Sequence, residues 1–246
     1  DVCLEVMEKY DVDAIHFDDY FYMKGIDDSK TYQMYKSEYN NVPVNDFRRL
    51  QIDDFIRDLS EEMYNYNIKN NKAVQLGISP SGVYQNGGYV APSEYKYDSN
   101  GTLVSPVYSN TAGYAHYDNP LYSDTKKWID EEWIDYIMPQ TYWSLEQTVA
   151  SFGELSRWWS WTVKYKKVNL YLGMGIYMPA DNSNWRKNKY EVRDQILNAE
   201  MYDEVGGFSF YSYNYLESSN VYTKTGMDIV KNDYFSKKIP ADVKKY

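Results

Sequence analysis

Two adjacent carboxylates, Asp18 and Asp19, follow an apolar run over residues 12–17 and are the strongest candidates for acid–base chemistry in the sequence. Because side chains alternate along a strand, Asp18 is expected to share a face with His16 and Tyr20, while Asp19 points to the other face. The face with His16 has the polar character of a barrel interior near its mouth. We therefore predict Asp18 as the reactive group and His16 as its buried neighbour. Asp19 is expected to face the helices unless the strand ends before it.

Polar and aromatic side chains follow four further apolar runs, at residues 73–78, 134–138, 168–175 and 207–210. In chain order these side chains are Ser79 and Ser81, then Gln140, Tyr142 and Trp143, then Tyr177, then Tyr211, Tyr213 and Asn214. The carboxyl ends of the strands of a parallel barrel meet in one bowl, which is where catalysis takes place. Amides and phenols suit sugar hydroxyls, and aromatic rings suit the C–H faces of sugars. The bowl is therefore predicted to bind carbohydrate.

Each of these features also has a purely structural interpretation or a competing functional one. Asp18 and Asp19 could be a loop or helix-capping pair, and His16 alone fits a hydrogen-bonded core histidine better than a general base. A strand that ends in two aspartates also resembles the magnesium-binding strand of P-loop ATPases, but the sequence has no G-x-x-x-x-G-K-[ST] loop. A Ser-His-Asp hydrolase is disfavoured because residues 77–82 lack the G-x-S-x-G frame.

Composition excludes several classes of protein. The 246 residues carry a formal net charge of −10, which argues against nucleic acid or an anionic membrane as the main partner. No apolar run approaches the ~18 residues of a membrane span. One cysteine and two histidines leave little basis for a metal site, so neither metal nor cofactor is predicted. The aromatic share of 18% suits stacking on sugars, although a tyrosine-rich background would account for it equally well.

Amphipathic segments separate most of the apolar runs, which makes the sequence α/β. Short runs bounded by Gly and Pro are typical of parallel strands that are covered on both faces. Helices are predicted from Asn45, as N-cap, to residue 63, and over 121–133, 145–164 and 190–203, while residues 1–10 look like the end of a helix. The resulting βαβαβαβαβ order predicts a parallel sheet with right-handed crossovers.

Helical periodicity also predicts which side chains reach the core. The expected core face of the first long helix carries Phe47, Leu50, Phe55, Ile56, Leu59 and Met63, and that of the last carries Val192, Ile196 and Leu197. Residues 84–120 break the pattern, because they contain turn signals and no helical period. A long connection of this kind after a strand is expected to be a loop on the ligand-binding side.

Four blocks of sequence, in order along the chain, resemble the family-10-like glycosyl hydrolases found in many bacterial envelope proteins. The blocks are residues 10–22, which include the carboxylate pair, 76–84, 122–143, and a fourth made up of 172–177, Gln195 and 206–211. Ala14 stands where the family has glycine, which is a mild change. Ser81 and Tyr84-Gln85 depart from the family's aromatic and Trp-Arg positions, and this leaves the choice of substrate open.

The resemblance implies a (β/α)₈ barrel that acts on bacterial glycans, N-acetylated cell-wall chains among them. It also implies that residues 1–246 form one partial barrel domain with the strands equivalent to 4–8, preceded by strands that this sequence does not contain. The predicted catalytic residues are Asp18 and Asp19, and the predicted substrate-binding residues are His16, Tyr20, Ser79, Gln140, Tyr142, Trp143, Tyr177 and Tyr211. The expected partners are a polysaccharide or oligosaccharide substrate and either another chain or the missing half, in a secreted or cell-envelope location.

Glycoside hydrolysis usually needs two carboxyl groups on either side of the scissile bond. Adjacent strand residues point apart, so a second group could come from the missing half, from a loop residue such as Asp118, Glu146 or Asp181, or from the acetamido group of the substrate. In the third case Asp18 would orient the amide and Tyr142 would hold the oxazolinium ion. A non-catalytic glycan-binding module or an inactive barrel fragment remains the alternative to an enzyme.

Overall fold

The computed structural model describes residues 2–236, and five of its strands form one parallel sheet. In chain order the strands are β1 (Ala14–Phe17), β2 (Gln75–Ile78), β3 (Lys96–Tyr97), β4 (Leu103–Ser105), β5 (Tyr136–Ile137), β6 (Asn169–Gly175) and β7 (Val205–Tyr211). The sheet order is β1-β2-β5-β6-β7, so each new strand pairs with the one before it. The predicted α/β class, with a parallel sheet built from the five apolar runs, is confirmed.

Helices connect the strands of the sheet. They are α1 (Val2–Lys9), α2 (Ser29–Tyr35), α3 (Val44–Asn70), α4 (Thr125–Asp130), α5 (Phe152–Val163), α6 (Met178–Asp181), α7 (Ser183–Lys187), α8 (Glu191–Ala199) and α9 (Val221–Asp233). The helix predicted for the first residues is confirmed as α1. No helix in the described part of the chain is both long and apolar enough to span a membrane.

The first long helix starts earlier than predicted. Pro43 is the N-cap residue of α3, and its carbonyl accepts a 2.9 Å hydrogen bond from the backbone N–H of Phe47. Asn45 already lies within the first turn, so the prediction of Asn45 as N-cap is wrong. Proline suits this position because its fixed φ leads into the helix and the N–H it lacks would have no intrahelical partner there.

Two other helices are shorter at their N-terminal ends than predicted, because side-chain caps stop them. The carboxylate of Asp124 accepts from the backbone N–H of Lys127 at 3.1 Å and begins α4. The hydroxyl of Ser151 accepts from the backbone N–H of Glu154 at 3.1 Å and begins α5. The stretches before both helices are irregular, and they lie at the carboxyl end of the sheet, where helix N-termini are placed in a βαβ unit.

The strand register sorts the sheet's side chains onto two faces. One face packs with the helices into a single core and carries Leu76, Ile78, Ile137, Leu170, Leu172 and Met174. The opposite face carries His16, Gly77, Tyr136, Tyr171, Gly173 and Ser209. His16 is exposed, and none of these residues belongs to the core cluster of the described chain. In residues 2–236 the helices therefore cover one face of the sheet and leave the other open.

Two residues expected in the core are exposed instead. Phe55 is 46% exposed, although the ring of Phe17 meets it edge-on at 5.8 Å. Leu197 is 49% exposed, because Ile196 and Ala199 define the buried face of α8 and the helical period turns Leu197 outwards. The other predicted apolar positions are buried or partly buried.

Residues 84–120 contain an antiparallel hairpin, formed by β3 and β4, that packs along α5. The Tyr97 hydroxyl donates to the carbonyl of Trp161 at 2.7 Å, and Lys166 donates to the hydroxyl of Thr102 at 2.9 Å. Further along, Asp118 accepts from Arg49 of α3 at 2.7 Å. The segment is thus fixed to helices on both sides, and its last part returns to the N-terminal end of α3.

Candidate active site

The two carboxylates lie just past the end of β1, since that strand stops at Phe17. The backbone N–H of Asp19 donates to Oδ1 of Asp18 at 3.0 Å. Burial, followed by the nearby charge of Asp18, raises the pKa of Asp19. Strand alternation no longer applies here, so Asp19 does not turn away to the helices. The charges of both carboxylates raise the pKa of the same phenol, that of Tyr142.

Gln140 follows β5, and its side chain holds Asp18 in place. Its Nε2 donates to Oδ1 of Asp18 at 2.8 Å and to the carbonyl of Ser79 at 3.0 Å. Its backbone forms isolated parallel bridges with Ser81 and with Gly173. A Cβ at Gly173 would lie 3.0 Å from the Pro139 carbonyl oxygen, so a glycine here permits the close approach that places Gln140. The amide is therefore fixed by both main chain and carboxylate.

A group of tyrosine rings in mutual contact begins at Tyr142, the phenol near these carboxylates. The ring of Tyr142 lies 6.2 Å from that of Tyr177 and 6.0 Å from that of Tyr211. Tyr177 also contacts Tyr211 at 6.1 Å and Tyr215 at 5.7 Å. We refer to Tyr142, Tyr177, Tyr211 and Tyr215 as the tyrosine cluster. Three of its members were predicted from strand ends, whereas Tyr215 was missed because it follows a short turn.

Two phenols of this cluster, those of Tyr142 and Tyr177, have raised pKa values. Burial raises the pKa of Tyr142, and the neighbouring Tyr177 and Asp18 raise it further. Burial likewise raises the pKa of Tyr177, with the charge of Asp181 adding to the effect. Tyr142 is thus a hydrogen-bond donor close to Asp18 and Asp19, and Tyr177 is one close to Asp181, which suits the binding of hydroxyl and amide groups. We call Asp18, Asp19, Gln140 and the tyrosine cluster the bowl.

His16 lies below the bowl on the open face, and the expectation that it is buried is wrong. Its Nδ1 lies 3.0 Å from the hydroxyl of Tyr136, and the two rings stack at 5.6 Å. The Tyr136 ring crosses Gly77, where a Cβ would come within 1.9 Å of its Cζ. Partial burial lowers the pKa of His16, while the charge of Asp18 opposes that shift. Sequence reasoning missed Tyr136. Because Tyr136 precedes the buried Ile137 on the strand, its side chain lies on the opposite face of the sheet, which is the face that carries His16.

Three of the predicted substrate-binding residues have other surroundings. Tyr20 is 82% exposed. Ser79 donates its hydroxyl to the carbonyl of Met138 at 3.1 Å, which ties β2 to the strand beside it. Trp143 packs against the core, and its ring lies over Gly82, where a Cβ would come within 2.9 Å of Cζ3. The tertiary structure thus places Trp143 beneath the bowl, and Tyr20 outside the ring contacts of the tyrosine cluster.

A second histidine, His116, is buried next to Ser81, whose backbone forms a bridge with Gln140. His116 is 1% exposed, with Nδ1 at 3.3 Å from the Ser81 hydroxyl and Nε2 at 2.7 Å from the Thr125 hydroxyl. Burial lowers the pKa of His116 to about 3, so the ring is neutral at pH 7. Sequence reasoning considered this residue only as a zinc ligand. Within residues 2–236, no group of three or more His, Cys, Asp and Glu residues is arranged to hold a metal ion.

The loop carboxylates differ in how they are engaged. Asp118 forms an ion pair with Arg49 at 2.7 Å. Glu146 is exposed, and its charge acts on Glu191 of α8. Asp181 is exposed and lies close enough to Tyr177 for its charge to raise that phenol's pKa. Among these three residues, Asp181 is therefore the one beside the tyrosine cluster.

Comparison with known proteins adds independent findings. The family model described as "Glycosyl hydrolase-like 10" matches residues 1–190. The chain is 35% identical over 243 residues to "Glycosyl hydrolase YngK" of Bacillus subtilis (strain 168), covering 95% of this chain and 42% of that protein. It is 30% identical over 226 residues to "Glycosyl hydrolase DigH" of Escherichia coli (strain K12), covering 87% of this chain and 46% of that protein. The chain thus spans less than half the length of these curated relatives.

Proposed function

The chain belongs to the glycosyl hydrolase-like 10 family, and from this premise we propose that it hydrolyses glycosidic bonds in bacterial glycans, with N-acetylated cell-wall chains as the substrate class. The observation that carries the proposal is the Asp18–Asp19 pair, which is held by Gln140 close to Tyr142 of the tyrosine cluster. Carboxyl groups supply the acid–base chemistry of glycoside hydrolysis, and the phenols supply donors for hydroxyl and acetamido groups.

We assign different roles to the two carboxylates. Asp19 has a raised pKa, which suits a general acid that protonates the leaving oxygen. Asp18 accepts two hydrogen bonds at Oδ1, from Gln140 and from the backbone of Asp19, and neither reaches Oδ2. Oδ2 of Asp18 is therefore available to orient the acetamido N–H of a bound sugar. Gln140 is then a positioning residue for Asp18.

The second catalytic group is assigned to the substrate. In this mechanism the acetamido carbonyl oxygen attacks the anomeric carbon, the glycosidic bond breaks, and Asp19 gives its proton to the leaving oxygen. Water then attacks the anomeric carbon and opens the oxazolinium ion. A proton of that water is transferred to the carboxylate of Asp19. Support comes from Tyr142, whose protonated phenol lies beside both carboxylates and could donate to the attacking amide. A loop carboxylate, Asp181, is the alternative second group because it lies beside Tyr177.

We propose that the sheet is part of a (β/α)₈ barrel and supplies the strands equivalent to 4–8. The open face supports this, since it carries His16, Tyr136 and Tyr171 in a row where a barrel would have its interior. The other strands would come from elsewhere in a longer protein or from another chain. Light scattering tests this proposal: a monomer of residues 1–246 with a cooperative melt would contradict it. A secreted or cell-envelope location follows from the proposed substrate.

A non-catalytic glycan-binding module is the second candidate function. It is favoured by the tyrosine cluster, which offers a stacking surface whether or not the carboxylates react. Hydrolysis separates the two functions, because a binding module retains glycan without releasing new reducing ends.

The deciding experiment compares Asp18→Asn and Asp19→Asn with Asp203→Asn, a control at an exposed aspartate after α8. Reducing-end release from N-acetylated glycan strands and the melting temperature are measured on the same samples. We expect both site variants to lose about 10²–10⁴-fold in turnover with unchanged glycan affinity, and the control to match the parent. Full activity in Asp18→Asn would remove β1 as the catalytic strand, while a lower melting temperature at an unchanged rate would leave Asp18 only a structural role.

A further inference from the structure

A separate cavity of about 220 Å³ lies between α7, α8 and α9. Among the described residues, its lining includes none of those that form the bowl. The polar and aromatic lining residues are Trp185, Arg186, Asn188, Lys189, Glu191, Tyr222 and Thr225. The family model ends at residue 190, so α8 and α9 lie beyond the matched region. The volume is below the ~300–1,000 Å³ typical of pockets for drug-sized ligands, so one small ring fills it.

Two buried polar groups at this cavity have unused hydrogen-bonding capacity. Trp185 is 2% exposed, and its indole Nε1 has no hydrogen-bond partner in residues 2–236. Glu191 is 3% exposed, and it accepts from the backbone N–H of Leu145 at 2.7 Å and from Gln195 at 2.8 Å. Both bonds go to Oε1, so Oε2 remains without a partner among the described residues. Buried polar groups are usually paired, so the indole N–H of Trp185 points to a missing partner.

The lining of the cavity carries two cationic side chains and one acidic side chain, whereas the chain as a whole carries a net charge of −10. Arg186 donates from Nε to the carbonyl of Pro179 at 3.1 Å and from Nη2 to the carbonyl of Ala180. These bonds fix its guanidinium 5.1 Å from the ring centroid of Tyr222. Lys189 adds a second cation, and Glu191 contributes one carboxyl group, whose pKa is raised by burial. The lining therefore favours an anion that accepts hydrogen bonds.

We propose that this cavity is a second binding site, which takes a single sugar ring bearing a carboxylate. The carboxylate would lie against Arg186 and Lys189, and the ring against the side of Tyr222 that Arg186 does not cover. Arginine binds carboxylates through two parallel N–H groups, and aromatic faces bind the C–H faces of sugars. The Trp185 indole N–H and the carboxyl of Glu191 would pair with ring hydroxyls. Occupation of this site does not require hydrolysis in the bowl.

D-glucuronate and D-glucose test the proposal, because they differ only at C6, where one has a carboxylate and the other a hydroxymethyl group. Binding is measured by calorimetry and by the change in tryptophan fluorescence. We expect glucuronate to bind at least about tenfold tighter than glucose. Arg186→Gln should weaken glucuronate binding about ten- to hundredfold, as expected for loss of a charge-assisted hydrogen bond. Lys187→Gln, on the same helix but outside the cavity lining, is the matched control.

A second pair of variants keeps the test decisive if Arg186→Gln does not fold. Lys189→Gln alters an exposed cation and should also weaken glucuronate binding, and Trp185→Phe should abolish the ligand-dependent fluorescence change. Equal affinity for glucose and glucuronate would overturn the proposal, as would unchanged affinity in both cation variants. Acetate binding as tightly as glucuronate would refute the sugar ring. Loss of glucuronate binding in Tyr177→Ala would assign the ligand to the bowl instead, and hydrolysis, assayed separately, reports on the proposed function alone.

Discussion

The side-chain amide of Gln140 donates a 2.8 Å hydrogen bond to Oδ1 of Asp18, across 122 residues of sequence. The same nitrogen donates to the carbonyl of Ser79 at 3.0 Å, which fixes the orientation of the amide. Since the backbone N–H of Asp19 also donates to Oδ1, the protein engages one oxygen of Asp18 from two sides. This arrangement holds the carboxylate for a ligand at its other oxygen, and the first prediction follows from it.

Gln140→Glu should move the acid limb of the pH–rate profile to higher pH. The substitution puts a second carboxyl group next to Asp18, and two like charges at hydrogen-bond distance raise the apparent pKa of the pair by about 1 unit or more. Because Asp18 is proposed to act as a carboxylate, turnover should fall at mildly acidic pH and recover as the pH rises. The profile of kcat/KM measures this, with Gln140→Ala as the control that lowers the rate without moving the limb.

Tyr177→Ala and Tyr211→Ala should weaken glycan binding by roughly 1–3 kcal/mol each, as expected for loss of a stacked aromatic surface. Tyr177→Phe should weaken it less, since the ring remains. Calorimetry on the carboxylate-inactivated Asp18→Asn background isolates binding from turnover. Tyr213→Ala provides the control, because that side chain is 83% exposed and makes no ring contact with the cluster. Equal losses at all three positions would argue against a specific stacking surface.

Trp143→Ala should instead lower the free energy of unfolding, by about 3 kcal/mol, with glycan affinity close to that of the parent. The ring rests over Gly82 and packs against the core, so its removal leaves a cavity under the bowl. Urea denaturation measures the loss of stability. A stable Trp143→Ala protein with weakened binding would show that the indole contacts the sugar directly.

Stability should fall as the pH is lowered below about 6.5, by up to about 1.4 kcal/mol per pH unit for each buried neutral histidine. The pKa of His116 is lowered to about 3 in the folded chain, so the unfolded state takes up a proton in this window and the folded state does not. His116→Gln should flatten this dependence between pH 6.5 and 5. With two histidines in the chain, an NMR titration resolves both rings, and His116 titrating near 6.5 would contradict the prediction.

Asp28 should contribute to stability at neutral pH and lose that contribution in acid. Hydrogen bonds from Arg48, opposed by burial, lower the pKa of Asp28 to about 2. A depressed carboxyl pKa stabilises the fold fully above the unfolded value near 4, and the contribution disappears as the pH falls through about 2. Asp28→Asn should therefore lower the free energy of unfolding by about 2 kcal/mol at pH 7. Urea denaturation of both proteins at a series of pH values should show this difference shrinking below pH 4, whereas a constant difference would refute the prediction.

The class of fold could be predicted because it depends on local patterns. The five apolar runs became the five sheet strands, since β-rich stretches bounded by Gly and Pro have few other stable conformations. Strand-end chemistry was visible for the same reason: parallel strands share one carboxyl edge, so Asp18, Gln140 and Tyr142 had to approach each other. Local pattern also misled in places, since Phe55 fits a helical core face but is 46% exposed.

The sequence alone determined the α/β class, the order of the strands along the chain and the chemical character of the bowl, because side-chain periodicity and residue type are local properties. Only the tertiary structure decided the rest. It showed that β1 ends before Asp18, with both carboxylates near enough to Tyr142 to raise the pKa of its phenol, and that Trp143 packs over Gly82 and against the core. It also showed that the helices leave one sheet face open within residues 2–236. These outcomes depend on contacts between residues far apart in the chain, whose packing no local pattern encodes.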